Sequence, residues 1–232
     1  SYAVANDTVR DVCFVGSGGG VYILDVSDNS NPVKLSEEIH TRGFVGDLHY
    51  DYPTQRLYIA AYTGGLEIWD VSQLNNPIKL GHYWTPGNAY GVYVSGNYAY
   101  VADDWEGLRI IDISDPANPT ETGYYNTPGY AEDVYVLGDY AYVADEDSGL
   151  RIIDISDPAN PVETGYCDTP GYAYGVYVSG NYAYVADAWE GLRIIDISDT
   201  ANPTETGYCD TPGSARSVYV SGNYAYVADG YE

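Results

Sequence analysis

The pentad Leu-Arg-Ile-Ile-Asp stands at residues 108–112, at 150–154 and at 192–196, a spacing of 42 residues each time. A longer frame surrounds it. The stretch GLRIIDISDPANP runs from Gly107 to Pro119 and from Gly149 to Pro161, and it recurs from Gly191 to Pro203 with Thr200 replacing a proline. A fixed period of this length means that one supersecondary unit is stacked on copies of itself, because such a unit cannot bury its apolar surface alone. The acidic residue that ends each apolar run falls at Asp25, Asp70, Asp112, Asp154 and Asp196, and a proline follows seven residues later at Pro32, Pro77, Pro119, Pro161 and Pro203. The repeats therefore lie at approximately 1–43, 44–87, 88–129, 130–171 and 172–213, and 214–232 forms a partial sixth.

Within the third repeat, AYGVYVSGN predicts a strand ending in a Ser-Gly-Asn turn, and YAYVADDWEG a second strand closed by a polar hairpin. LRIIDIS predicts a third strand stopped by DPANP, and TETGYY a fourth closed by NTPG. Short runs of Val, Ile and Tyr punctuated by Gly, Pro, Asn and Asp are strand signals, and no helical period competes with them. Each repeat is thus one four-stranded antiparallel sheet. An antiparallel sheet with a wet face alternates apolar and polar residues. Here Leu108 and Ile110 face one way, Ile111 and Ile113 the other, and all four are apolar. Sheets dry on both faces are accommodated when each is sandwiched between two neighbours, so the expected fold is an all-β β-propeller. The chain 1–232 is expected to be a single propeller domain of five full blades plus a half blade, six-bladed if completed.

The LRIID core with its DISDPANP tail, following YVSGNYAYVAD every 42 residues, resembles the LVIVD repeat family over residues ~10 to 232. In this chain the second position of the pentad holds Arg109, Arg151 and Arg193 instead of Val. The resemblance implies a β-propeller in a bacterial or archaeal surface or secreted protein, and it supplies no catalytic residues.

Thirty-four acidic residues against nine basic ones leave a net charge of −25. Such a surface repels phosphate backbones and anionic lipid, which excludes nucleic acid as a partner. No apolar run is long enough to insert into a bilayer. Cys13, Cys167 and Cys209 read as small buried or half-buried hydrophobes, since Cys167 and Cys209 occupy equivalent places in successive repeats.

Candidate sites fall into three groups. The hairpins between second and third strands bring together Asp103, Trp105 and Glu106, then Asp145 and Asp147, then Asp187, Trp189 and Glu190, a mixture of aromatic faces and carboxylates suited to a sugar or a cation. Ahead of the first strands, Tyr90, Glu132, Tyr174 and Arg216 differ where their surroundings are nearly constant, as do the residues that follow them, Gly91, Asp133, Gly175 and Ser217. This variation fits either a ligand site or drift on a solvated rim. In the unfinished repeat, Asn223, Tyr224, Ala225, Tyr226, Val227, Ala228 and Asp229 form a strand whose third-strand partner does not follow, and an unpaired edge invites another chain. Alternatively, outer strands from the N-terminal repeat complete that blade.

The oxygen side chains of Asp112, Ser114, Asp115 and Asn118 lack the glycine and closing glutamate of a calcium loop, and they are expected to fix the strand exit through turn hydrogen bonds. No catalytic residue and no metal site is assigned; Ca2+ is the one cofactor kept open. The expected function is a non-catalytic extracellular or cell-surface structural and adhesive module, associating with itself or with a surface glycan or protein. A lectin-like or calcium-dependent binding propeller is the alternative, and a propeller hydrolase or lyase a third, resting on fold analogy alone.

Overall fold

A computed structural model of the protein describes residues 3–36 and 39–230. Residues 1–2, 37–38 and 231–232, which the repeat frame assigns to the first and last repeats, lie outside the described residues. All regular elements among the described residues are β-strands, and no helix is long and apolar enough to cross a membrane.

The first sheet holds β1 (Val4–Asp7), β2 (Val12–Ser17) and β3 (Gly20–Asp25), with β3 paired further to two short pieces, β4 (Val33–Lys34) and β5 (Ile39–His40). The second runs β6 (Asp47–Asp51), β7 (Arg56–Ala60), β8 (Leu66–Asp70), β9 (Ile78–Tyr83). The third runs β10 (Gly91–Ser95), β11 (Tyr98–Ala102), β12 (Leu108–Asp112), β13 (Thr120–Tyr125). The fourth runs β14 (Asp133–Leu137), β15 (Tyr140–Ala144), β16 (Leu150–Asp154), β17 (Val162–Cys167), and the fifth β18 (Gly175–Ser179), β19 (Tyr182–Ala186), β20 (Leu192–Asp196), β21 (Thr204–Cys209). A two-stranded sheet of β22 (Ser214–Ser221) and β23 (Tyr224–Gly230) ends the series. Five full sheets and a half sheet match the repeat count, and strand order follows chain order in each.

The chain divides into two compact units, Ser1–Val101 with Ile111–Glu121, and Ala102–Ile110 with Thr122–Glu232. In the first unit β6 packs against both β1 and β10. In the second, β18 packs against both β14 and β22. These contacts explain the doubly apolar strands. Leu150, Ile152 and Ile153 are all inaccessible to solvent although they point to opposite faces of one strand. Tyr142, Leu150 and Ile152 from the fourth sheet pack with Val176, Val178 and Val185 from the fifth in a single apolar cluster. At roughly 25 cal/mol per Å² of apolar surface removed from water, this sheet-on-sheet burial is the main favourable term holding each sheet to the next.

Local chemistry sets the element ends. Gly96, Gly138, Gly180 and Gly222 occupy the first-to-second strand turns at φ near +60°, which a β-carbon would strain. Past each third strand, Asp112, Asp154 and Asp196 accept the backbone N–H of Ser114, Ser156 and Ser198 at 2.8–2.9 Å, and Asp115 accepts from Ala117 N and Asn118 Nδ2. The side chains of Ser114, Ser156 and Ser198, and then these backbone N–H groups, hold the Asp112, Asp154 and Asp196 carboxyls below the usual range. The turn role expected for these oxygens is the one they have.

Register shifts were not legible beforehand. The third and fourth strands slip by one residue between Ile68 and Trp69, between Ile152 and Ile153 and between Ile194 and Ile195, and β22 slips against β23 between Ala215 and Ser217. The cysteine reading needs one correction. Cys13 and Cys167 are half-buried but Cys209 is exposed, because among the described residues nothing covers β21 as the loop at Thr200 and Ala201 covers β17. No disulfide joins described residues.

Candidate functional site

Three groups of residues were singled out by sequence, and the structure gives each a different physical setting. In the hairpin group, Asp103, Asp145 and Asp187 are completely buried, whereas Trp105 and Trp189 are more than half exposed. Asp145 Oδ1 accepts the Thr127 hydroxyl hydrogen and its Oδ2 accepts Gly129 N–H at 2.8 Å. Asp187 repeats both bonds with Thr169 and Gly171. Asp145 and Asp187 thus each latch the loop that leads into their own sheet.

Beside the latch lies a buried guanidinium. Arg151 Nε stands 3.8 Å from Asp145 Oδ2, with Asp168 and Glu163 on its other nitrogens, and its Cζ sits 4.6 Å from the Tyr166 ring centroid. Arg193 likewise has Asp187, Glu205 and Tyr208 around it, but takes Glu190 where Arg151 takes Asp168. Arg109 bonds Glu106 and lies over Tyr124. A charged pentad position is therefore accommodated by a carboxylate beneath and an aromatic face above. Burial pushes the Asp145 carboxyl up to about 6, against the Thr127, Gly129 and Arg151 contacts that pull it down. The second sheet solves the same problem with inverted charge. Glu67 takes the arginine position, fully buried, and bonds Lys79 Nζ at 2.7 Å and Trp69 Nε1 at 2.9 Å, while Ala61 takes the place of the aspartate. This coupled exchange of Asp-Arg-Glu for Ala-Glu-Lys was visible in the repeats and is the signal that identifies the device. Of the eight hairpin residues, Trp105, Asp147, Trp189 and Glu190 retain open surface; Glu106 and Glu190 also pair with arginine.

The variable group ahead of the first strands is brought together in the second unit. Asp104, Glu146 and Ala188 adopt left-handed φ of 57°, 43° and 47°, and each makes an isolated bridge to Ala131, Ala173 or Ala215. Those alanines immediately precede Glu132, Tyr174 and Arg216. The two variable positions are thus aligned, and the result is a mixed cluster. Arg216 Cζ lies 4.3 Å from the Tyr174 ring centroid. Glu132 is half-buried, not freely solvated, and burial, then the negative charges of Glu146 and Asp104, push its carboxyl up to about 7 against the opposing Arg216. In the first unit the corresponding pair is Tyr62 and Tyr90, whose hydroxyls meet at 2.7 Å. The left-handed residues could not be foreseen, since none is glycine.

The Glu132 shift has a measurable sign. A carboxyl with a raised native pKa takes up its proton more readily when folded, so stability falls as pH rises from about 4.5 to about 7 and is flat outside that window. Glu132→Gln removes this slope: relative to the native chain it is expected to gain about 1–3 kcal/mol between pH 5 and pH 8 in urea unfolding. Parallel pH profiles for the two chains contradict the assignment.

The third group is the β23 edge. Tyr140–Ala144 and Tyr182–Ala186 read YAYVA, and each strand pairs with a neighbour on both sides. Tyr224–Ala228 also read YAYVA, but β23 pairs with β22 alone. Tyr142 is 3% exposed; its equivalent Tyr226 is 58% exposed. Among the described residues the outer edge of β23 has no partner strand.

The likenesses to known proteins agree with this architecture. A putative 6-phosphogluconolactonase from Bacteroides uniformis superposes with a TM-score of 0.85 at 13% identity, covering 98% of this chain and 77% of that one. A protein from Lactobacillus plantarum gives 0.78 at 16% identity over 94% and 73% of the respective chains. The β-propeller domain of Cps50 (Swd1) from Myceliophteria thermophila gives 0.73 at 12% over 94% and 74%. At these identities the likeness establishes the propeller fold. No curated protein matches in sequence. The LVIVD repeat model matches residues 12–40, 56–85, 86–127, 128–169, 170–211 and 212–232, in step with the sheets. With nearly the whole chain accounted for by that one repeat, the protein belongs to the LVIVD repeat family.

Proposed function

We propose that this chain is a non-catalytic interaction module of an extracellular or cell-surface protein, which joins other chains by strand addition at the outer edge of β23. One observation carries the reading: Ala141, Tyr142 and Ala144 are buried in β15, whereas their equivalents in β23, Ala225, Tyr226 and Ala228, are exposed and the outer edge of that strand has no partner among the described residues. An unpaired row of backbone N–H and C=O groups beside exposed tyrosines is a template for a further strand. The acidic surface keeps such a molecule soluble until that edge is engaged. Self-association is the simplest form of the activity. Sedimentation across a hundredfold concentration range is expected to show a rising mass, and a strict monomer at the highest concentration contradicts self-association.

A second reading is favoured by the exposed indoles of Trp105 and Trp189 and by the Glu132–Arg216–Tyr174 cluster: a binding propeller for a glycan or for Ca2+. Glycan arrays and calorimetric titration with calcium test it, and silence in both removes it. A hydrolase or lyase reading has only the fold likeness to a protein named as a putative lactonase behind it.

A further inference from the structure

We infer that the groove between β17 and the loop leading into β21 is a binding site for an uncharged saccharide, with Tyr166 as its stacking platform. It lies apart from the β23 edge and from the hairpin tryptophans, and it goes beyond the strand-addition reading. The groove is a cleft of about 510 Å³, lined entirely by residues of the second unit. Small-ligand sites span roughly 300–1,000 Å³, so the volume suits a short saccharide. Close backbone approach builds the floor. A β-carbon on Gly165 would run into the Thr200 carbonyl oxygen, and its absence lets the loop lie directly across the strand. Gly123 stands in the same relation to Pro158 and Ala159, so the floor is repeated one sheet earlier.

The walls supply a flat aromatic face and fixed polar groups. Tyr166 is 53% exposed, and the Arg151 guanidinium sits 4.6 Å from its ring centroid. Arg151 Nη1 also stands 3.9 Å from Glu163 Oε1, so one buried cation steadies both the platform and an acceptor beside it. Thr164 is the residue left out of the ladder where β16 and β17 slip, since Ile152 faces Gly165 and Ile153 faces Glu163. A bulge of this kind re-aims a side chain, and Thr164 lines the cleft with Asn202 and Thr204. Asn202 is itself held in place, its Nδ2 donating to Asp199 Oδ2 at 3.0 Å. A sugar ring lays its C–H face on an aromatic ring while its hydroxyls take up hydroxyl, amide and carboxylate partners. Anionic ligands are excluded: no lining residue is basic, and the charge of Arg151 is already committed to Asp145, Glu163 and Asp168. One sheet earlier, Thr122, Tyr124 and Asn160 take the corresponding places, with Val162 where Thr204 stands. Tyr124 is likewise 53% exposed, 4.5 Å from the Arg109 guanidinium, so the groove recurs with one hydroxyl fewer.

The test follows amide and indole NMR signals of the intact chain as cellotriose, chitotriose, maltotriose and mannotriose are added separately. At least one is expected to bind saturably, shifting the amides of 163–166 and 201–204 while the Trp105 and Trp189 indole N–H signals stay in place. For that sugar, Tyr166→Leu is expected to weaken binding about tenfold and Tyr166→Phe, which keeps the ring, by less than about twofold. Thr204→Val, the residue found at 162, is expected to weaken it about threefold. Trigalacturonate, which is anionic, is expected not to bind. No binding by any of the four neutral sugars, shifts confined to the indoles, or equal affinity in the native and Tyr166→Leu chains overturns the inference. Trigalacturonate binding as tightly as the neutral sugar overturns the exclusion of anions.

Discussion

Asp145→Ala is expected to destabilise the chain by about 3–5 kcal/mol, lowering the thermal midpoint by roughly 6–20 °C. The substitution strips the Thr127 hydroxyl and Gly129 N–H of their acceptor and leaves Arg151 buried without the carboxylate beneath it. Removing one member of a buried ion pair costs more than the pair contributes, because the remaining charge stays out of water. Asp229→Ala breaks the same two hydrogen bonds but strands no guanidinium, so its cost is expected to be about 1–2 kcal/mol. Equal losses for the two variants, measured by urea unfolding, contradict the account of the arginine.

A second contrast separates two glycines that sequence alone makes equivalent. Gly165 and Gly207 occupy the same place in TETGY-type strands 42 residues apart. A β-carbon on Gly165 runs into the Thr200 carbonyl oxygen and lies 3.0 Å from Ala201, backbone that cannot step aside without moving the loop. A β-carbon on Gly207 meets nothing within 4 Å. Gly165→Ala is therefore expected to cost about 3 kcal/mol or more, and Gly207→Ala to stay within about 0.5 kcal/mol of the native chain. The difference arises from the third-strand loop of the following sheet, which packs over β17 and, among the described residues, has no counterpart over β21. Similar unfolding midpoints for the two variants would rule out this sheet-on-sheet packing.

These contrasts also show what the sequence could and could not convey. Strand positions were legible because 42-residue periodicity and Gly, Pro and Asp punctuation are local signals, and double-sided burial followed from Leu108, Ile110, Ile111 and Ile113 being apolar together. The fates of Gly165 and Gly207, of Cys167 and Cys209, and of Tyr142 and Tyr226 were not legible. Each pair has the same local sequence, and only the neighbouring sheet decides whether its members are enclosed. The hairpin aspartates illustrate a different limit. Asp145 and Asp187 stood out as carboxylates in the hairpins, yet their acceptor roles depend on threonines 18 residues earlier in the chain, Thr127 and Thr169. The repeats held a clue in the joint change to Ala61, Glu67 and Lys79. Positive φ at Asp104 and Glu146 left no sequence trace, so the clustering of Glu132, Glu146 and Arg216 had to come from coordinates.

The open edge is tested most directly by amide exchange in three stretches of identical sequence, Tyr140–Ala144, Tyr182–Ala186 and Tyr224–Ala228. Their intrinsic exchange rates are nearly the same, so differences report structure alone. In dilute chain the first two are predicted to exchange slowly throughout, and the outward-facing amides of the third at least a hundredfold faster. That fast set is predicted to slow as the concentration of the chain is raised. Uniformly slow exchange in all three stretches of a dilute monomer, or fast exchange in the third that no partner slows, would contradict the account.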